Sequence, residues 1–114
     1  MKKIKVAIAG ATGFTGLELV KILLKHPGVE IVELFAQSNL GKAISYFDKS
    51  IKNTKKLPAI SSMKASNLSN IDVIFTALPH GEAHMVAKRL RKDSVLIDLS
   101  ADFRISSKSV YEKW

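Results

Sequence analysis

The chain has 114 residues, 46% of them apolar and 25% charged, which is the composition of an ordinary globular domain. Its formal charge of +8 favours an anionic partner, but it does not distinguish nucleic acid, anionic lipid and a phosphorylated small molecule. No apolar run approaches the roughly 18 residues of a membrane span, and no signal-peptide pattern is present, so we expect a cytoplasmic protein without a membrane partner. The absence of cysteine excludes disulfides, thiolate metal sites and cysteine nucleophiles from these residues.

The first forty residues predict a strand, a glycine turn, a helix and a second strand. Ile4–Ala9 is an almost continuous apolar run, typical of a strand that is buried on both faces. Phe14–His26 has the apolar period of an amphipathic helix and ends before Pro27-Gly28. Val29–Ala36 is rich in β-branched and apolar residues and predicts the second strand.

The middle of the chain is more polar. Residues 42–70 predict a long loop with one short strand near Leu57–Ile60. Ile71–Leu78 predicts a buried strand, Gly81–Lys92 a helix, and Ser94–Leu99 a further strand. The face of this helix that we expect to be buried carries Ala83, Val86, Ala87 and Leu90.

Strands that alternate with helices predict the α/β class, with a Rossmann-like doubly wound parallel sheet. After Asp102-Phe103-Arg104, a helix is expected to begin at Ser106 or Ser107 and to stop before it is long enough to pack well. We therefore expect residues 1–114 to be a truncated domain.

The segment Gly10-Ala11-Thr12-Gly13-Phe14-Thr15-Gly16 connects the first predicted strand to its helix. Gly10 and Gly13 leave room for a phosphate to approach backbone N–H groups, and Gly16 lets the helix lie close against the strand. The spacing G-x-x-G-x-x-G is one residue wider than the commonest dinucleotide fingerprint, and by itself it equally suits a tight connection without a ligand. Its place between a buried strand and an amphipathic helix favours dinucleotide binding.

The end of the second predicted strand bears on cofactor choice. An NAD-selective domain usually has a carboxylate here, which binds the ribose hydroxyls. This chain instead has Gln37-Ser38-Asn39, with Lys42 nearby, a combination that favours the 2′-phosphate of NADP. For Ser38 and Asn39 an ordinary turn is the alternative interpretation.

Two further segments follow predicted strands at the same sheet edge. In Leu78-Pro79-His80-Gly81, His80 either faces the cofactor or substrate or caps the next helix. His84 lies four residues later, but no third ligand is evident, so we expect no metal ion. In Ser100–Arg104, Asp102 and Arg104 either pair with each other, border the nicotinamide or contact another domain.

The lysines between Lys49 and Lys64 are most simply explained as a solvated loop. Nucleic-acid binding would favour interleaved aromatic residues, and Tyr46-Phe47 alone is thin support, so we expect no nucleic-acid partner.

Several segments resemble the N-acetyl-gamma-glutamyl-phosphate reductase family, whose members depend on NADPH and act in arginine biosynthesis. The resemblance runs in order through nearly the whole chain. The glycine turn is shared with aspartate-semialdehyde dehydrogenases, whereas Leu78–Gly81 and Asp98–Arg104 are much more specific to this reductase and its close lysine-pathway relatives. The segments are Gly10–Leu19, Ser38 with Gly41-Lys42, Ala77–Gly81, and Ile97–Arg104 with Tyr111-Glu112.

The resemblance implies an N-terminal NADP-binding domain of a two-domain, homo-oligomeric enzyme that reduces an anionic acyl phosphate to a semialdehyde. In the family a cysteine thiolate attacks the acyl phosphate, and hydride from NADPH reduces the resulting thioester. This chain has no cysteine, so the nucleophile and its histidine are expected beyond Trp114, and no catalytic residue within the chain.

Carried over by position, the resemblance implies that the glycine turn holds the pyrophosphate and that Gln37, Ser38 and Lys42 meet the ribose phosphate. The family often has arginine where this chain has Gln37. The remaining implied contacts lie along the cofactor and near its nicotinamide end. Together the implied cofactor residues are Gly10, Thr12, Gly13, Phe14, Thr15, Gly16, Gln37, Ser38, Lys42, Leu78, Pro79, His80, Ser100 and Ala101.

Two other interpretations remain open. The chain is alternatively a free-standing NADP-binding module that regulates rather than catalyses, or part of a lysine-pathway relative of the reductase. A basic nucleic-acid-binding protein would instead show strong, salt-dependent affinity for DNA and none for nucleotides.

Overall fold

A computed structural model describes residues 3–51, 57–66, 68–78 and 82–99. The strands and helices in these ranges follow one another in the alternation that the sequence predicts. In chain order they are β1 (Ile4–Ala9), α1 (Phe14–Leu24), β2 (Val29–Phe35), β3 (Ile60–Ser61), β4 (Val73–Thr76), α2 (Glu82–Ala87) and β5 (Val95–Asp98). Short 3-10 turns occupy Ile44–Tyr46, Met63–Ala65 and Leu68–Asn70.

The five described strands form one parallel sheet in the order β3-β2-β1-β4-β5. β1 is central: its Ile8 lies opposite Leu34 of β2 on one side and Phe75 of β4 on the other. The chain builds outward from β1 in one direction through β3 and then in the opposite direction through β5. The predicted α/β, doubly wound parallel fold is therefore confirmed.

Side chains of β1 alternate between two hydrophobic cores, one on each face of the sheet. Val6 and Ile8 pack in the core that includes Val20 of α1. Ala7 and Ala9 belong to the core on the other face, which includes Val86 of α2. The two helices thus cover opposite faces, and β1 is buried on both, as its continuous apolar sequence predicts.

The second helix is shorter than predicted. α2 spans six residues, after which the amides of Arg89 and Leu90 donate to carbonyls only three residues back, at 3.0 and 3.4 Å. These tight bonds end the α-helix before Lys92. On its predicted inner face, Ala83 and Val86 are buried and Leu90 is partly buried, whereas Ala87 is exposed, which corrects that assignment.

The long polar segment contributes to the core more than predicted. Ile44 and Ile51 are buried in the α1-side core, although neither lies in a strand or an α-helix. Lys21 of α1 binds Asp48 through a 2.8 Å ion pair that ties this segment to the helix. The predicted short strand is β3, which begins only at Ile60, the last residue of the predicted stretch.

Within the described ranges, no helix is long and apolar enough to cross a membrane. The helix predicted near Ser106, and the segment Asp102–Arg104, lie outside the described residues.

Candidate functional site

A cleft of about 660 Å³ opens at the carboxyl ends of β1, β2, β3 and β4. It lies where the chain order reverses on the two sides of β1, the position at which open α/β sheets bind ligands. Most of its described lining is apolar or uncharged. The lining residues are Ala9, Gly10, Thr12, Phe35, Ala36, Gln37, Ser38, Ser62, Met63, Lys64, Ala77 and Leu78.

Of the glycine turn, Gly10 and Thr12 line the cleft, whereas Gly13, Phe14, Thr15 and Gly16 do not. Gly10 is required by the packing of the sheet. Its φ of +83° lies in the left-handed region, and a Cβ there would stand 2.4 Å from the carbonyl oxygen of Ala77. The amides of Gly10 and Ala11 both donate to the carbonyl of Phe35 at 3.0 Å. These two amides are therefore used by the fold, so Gly10 allows strands to approach rather than exposing a phosphate-binding N–H.

The start of α1 offers the donors that the turn itself does not. No backbone hydrogen bond engages the amides of Thr12, Phe14, Thr15 or Gly16 in the described structure. Leu17 is the first residue of the helix whose amide donates to a backbone carbonyl, that of Gly13, at 2.9 Å. Free N–H groups at a helix N-terminus, together with the helix dipole, bind phosphate.

Gly13 and Gly16 differ in what surrounds them. A Cβ on Gly13 would meet only the Gly10 carbonyl oxygen at 3.6 Å, an ordinary contact, so the space in front of Gly13 is open. A Cβ on Gly16 would stand 2.3 Å from the same oxygen and 2.7 Å from Cα of Ala11. Gly16 thus brings the helix against the turn, rather than against the strand as predicted.

The segment after β2 contributes Gln37 and Ser38 to the lining, but not Lys42. The chain reverses at Asn39 and Gly41, both with positive φ, and then pairs with Ile60 of β3. This path carries the ammonium of Lys42 to 4.5 Å from the ring centre of Tyr46. The sequence predicts Lys42 beside Ser38 at a ribose phosphate; the structure does not bring Lys42 into the cleft.

The segment after β3 supplies the cation instead. Ser62, Met63 and Lys64 line the cleft beside Gln37 and Ser38. Local sequence predicts a solvated loop for Lys64, because nothing near it distinguishes it from the lysines between Lys49 and Lys64. The signal that identifies it is the parallel pairing of Phe35 with Ser61, after which both strands leave the sheet side by side.

Among the described lining residues, Lys64 is the single charged one, and none is a carboxylate. Hydroxyl groups of Thr12, Ser38 and Ser62 accompany it. Such a lining suits an anion with acceptor oxygens better than a ribose diol, which carboxylates bind. In the described residues no cluster of three or more His, Asp or Glu could hold a metal ion.

Where β4 and β5 end, a partly buried polar contact joins the two strands. Thr76 is fully buried, and its hydroxyl donates to Asp98 at 3.0 Å. The amide of Leu99 donates to the Thr76 carbonyl at 2.7 Å. Leu78 lines the cleft, and Pro79, His80, Ser100 and Ala101 lie outside the described residues.

Comparison with known proteins agrees with this architecture. The family described as "Semialdehyde dehydrogenase, NAD binding domain" matches residues 5–112. Proteins named N-acetyl-gamma-glutamyl-phosphate reductase are 40% identical in Ehrlichia ruminantium, over 98% of this chain, and 48% identical in Thermoanaerobacter pseudethanolicus, over 97%. The chain spans 33% of the length of each of these two relatives.

Two solved structures share the fold. An aspartate semialdehyde dehydrogenase with NADP from Candida albicans superimposes with a TM-score of 0.71 at 23% identity, covering 90% of this chain and 31% of that one. Aspartate semialdehyde dehydrogenase II from Vibrio cholerae gives 0.67 at 21% identity, covering 90% of this chain and 32% of that one.

Proposed function

Because the chain belongs to the semialdehyde dehydrogenase NAD-binding domain family, we propose that its cleft binds NADP(H). The observation that carries this proposal is the pairing of unengaged amides at the start of α1 with a cleft that contains an ammonium and no described carboxylate. The residues present fit the cofactor, since open space lies in front of Gly13, where a pyrophosphate approaches in such folds.

The amides of Thr12, Phe14, Thr15 and Gly16 would hold the pyrophosphate. Gln37 and Ser38 would bind the adenosine ribose, and Leu78 would lie along the cofactor. Pro79 and His80 stay predicted contacts along the cofactor, and Ser100 and Ala101 stay predicted contacts near its nicotinamide end. Bound NADPH would supply a hydride, and these residues would fix its position and keep its charged groups paired.

We further propose that the chain is the cofactor domain of a longer reductase. The names of relatives that are 40–48% identical support reduction of N-acetyl-gamma-glutamyl phosphate to the corresponding semialdehyde, with release of phosphate. That substrate, the homo-oligomeric assembly and a nucleophilic cysteine belong to the remaining two-thirds of such a protein. Neither a free-standing regulatory module nor DNA binding is favoured by a specific feature of the cleft.

Calorimetric titration of the chain with NADPH and NADH, each at two salt concentrations, tests the cofactor proposal. We expect NADPH to bind more tightly than NADH. Its affinity should also fall more steeply with salt, because its extra phosphate binds through electrostatic attraction. Equal affinities would contradict selection of NADP. Absence of binding by a folded chain, checked by circular dichroism, would contradict cofactor binding altogether.

Gly13→Val tests whether the glycine turn is part of the binding site. Gly13 has extended backbone angles and an open environment, so a larger side chain leaves the fold intact while it fills the space in front of the helix N-terminus. We expect binding of both nucleotides to be lost. Unchanged affinity in a folded Gly13→Val variant would remove the glycine turn from the site.

A further inference from the structure

The turn Met63–Ala65 follows the short strand β3 and borders the half of the cleft that is next to Gln37 and Ser38. β3 has only two residues, and its second, Ser61, pairs with Phe35, the last residue of β2. The pairing continues one step further, because the amide of Ala36 donates to the carbonyl of Ser61 at 3.1 Å. The residues that follow each strand therefore leave the sheet at the same level and face the same cleft.

The position of this turn is fixed by a distant arginine. The guanidinium of Arg89, just after α2, donates to the carbonyl of Met63 at 2.8 Å and to that of Ser66 at 2.7 Å. The Ser66 hydroxyl donates to the carbonyl of Ser62 at 3.0 Å, which closes the turn from within. Two donors from one planar group define the orientation of the turn, so the backbone that carries Lys64 is held in place before any ligand binds.

The charge of Lys64 is not used elsewhere in the described structure. No carboxylate forms an ion pair with it, and it lines the cleft. Three other described lysines have partners away from the cleft: Lys5 with Asn70, Lys21 with Asp48, and Lys42 with the ring of Tyr46. A lysine without a described counter-ion, in the same cleft lining as Ser38 and Ser62, suits a phosphate group.

We propose that Lys64 is the residue that selects NADP over NAD, by pairing with the 2′-phosphate of the adenosine ribose beside Ser38. The inference rests on the proposed cofactor function and names the specificity-determining cation of that same site. The cation at the 2′-phosphate then comes from the residues after β3. Local sequence instead predicts that Lys42, after β2, provides it, and an arginine at position 37 would provide the same charge.

The test compares the affinities of NADPH and NADH for the unsubstituted chain, Lys64→Met and Lys64→Arg. We expect Lys64→Met to lower the affinity for NADPH about ten- to a hundredfold, the range for loss of a charged hydrogen bond. The affinity for NADH should not change. Lys64→Arg retains the charge and should retain most of the preference. Lys49→Met removes an equal charge at an exposed position outside the cleft and controls for net charge.

The outcomes separate this inference from the function on which it rests. If NADPH still binds preferentially to Lys64→Met while Lys42→Met loses the preference, the assignment to Lys64 is wrong and the cofactor function stands. An equal loss of NADPH and NADH binding in a folded Lys64→Met variant would also overturn it, because the lysine would then not distinguish the two cofactors. If neither nucleotide binds the unsubstituted chain, the cofactor function fails first.

Discussion

At the scale of single residues, ionic contacts outside the cleft tie loops to the sheet and to α1. Asp72, just before β4, accepts the amide of Lys5 at 2.9 Å and the guanidinium of Arg91 at 2.8 Å. These donors hold the pKa of the Asp72 carboxyl below its ordinary value. Asp48 is the more strongly shifted group, because Lys21 and both the amide and the hydroxyl of Ser50 donate to it and lower its pKa to about 2.

Asp48→Asn should therefore change how stability depends on pH. A carboxyl whose pKa is lower in the folded chain stabilises it above the unfolded pKa, near 3.8, and loses this contribution as the pH falls toward 2. We expect the variant to be less stable than the unsubstituted chain at pH 6, and the difference to shrink at pH 3. Urea midpoints at both pH values in low salt measure it.

Lys21→Met provides the matched comparison, because it removes the partner and leaves the carboxyl. It should lower stability at pH 6 in the same direction. If the difference in stability between Asp48→Asn and the unsubstituted chain does not change with pH, the ion pair is not its cause.

At the scale of elements, the connection between β1 and α1 combines two kinds of requirement. Gly10 and Gly16 are enclosed by backbone atoms, whereas Gly13 faces open space. Gly10 and Gly16 allow the strand, the turn and the helix to approach one another, and Gly13 leaves the helix N-terminus accessible. A single motif thus serves both the fold and the cleft, with different glycines responsible for each.

Substitutions in this connection should separate the two requirements. Gly16→Ala places a Cβ 2.3 Å from a backbone oxygen that cannot move without the turn, and we expect a loss of about 2 kcal/mol in free energy of unfolding. Gly13→Ala, its control, should cost less than about 1 kcal/mol. Denaturant unfolding measures both values, and equal costs for the two variants would contradict the packing argument.

At the scale of the whole molecule, one sheet separates two cores, so its strands couple the two faces. Ile8 of β1 lies in the α1-side core, and Ile74 of β4 lies in the α2-side core; both are fully buried. Because the strands that carry them are hydrogen-bonded to each other, we expect the two cores to unfold together.

Ile8→Val and Ile74→Val should therefore lower the midpoint of the same cooperative transition. Each deletes one buried methylene group, with an expected cost of about 0.5–1.5 kcal/mol. Far-UV circular dichroism during urea unfolding follows the transition. A second transition that only one of the substitutions shifts would show that the two faces unfold independently.

Local patterns in the sequence are enough to predict the α/β class, the parallel sheet and the place of the glycine turn. These follow from local patterns: an apolar run without alternation for a doubly buried strand, a 3.6-residue period for α1, and glycine where the backbone needs φ above zero. The same patterns located Gln37, Ser38 and Leu78 on the cleft, because residues that follow parallel strands meet at one edge of the sheet.

Contacts between distant parts of the chain set which lysine lines the cleft and which parts of the polar segment are buried. Local sequence favours Lys42, which lies near Ser38 in the chain, but the pairing of β3 with β2 and the two bonds from Arg89 place Lys64 at the cleft instead. Ile44 and Ile51 are buried without any apolar period around them. The physical reason is the same in each case: these positions are set by contacts between residues far apart in the chain, which no local period records.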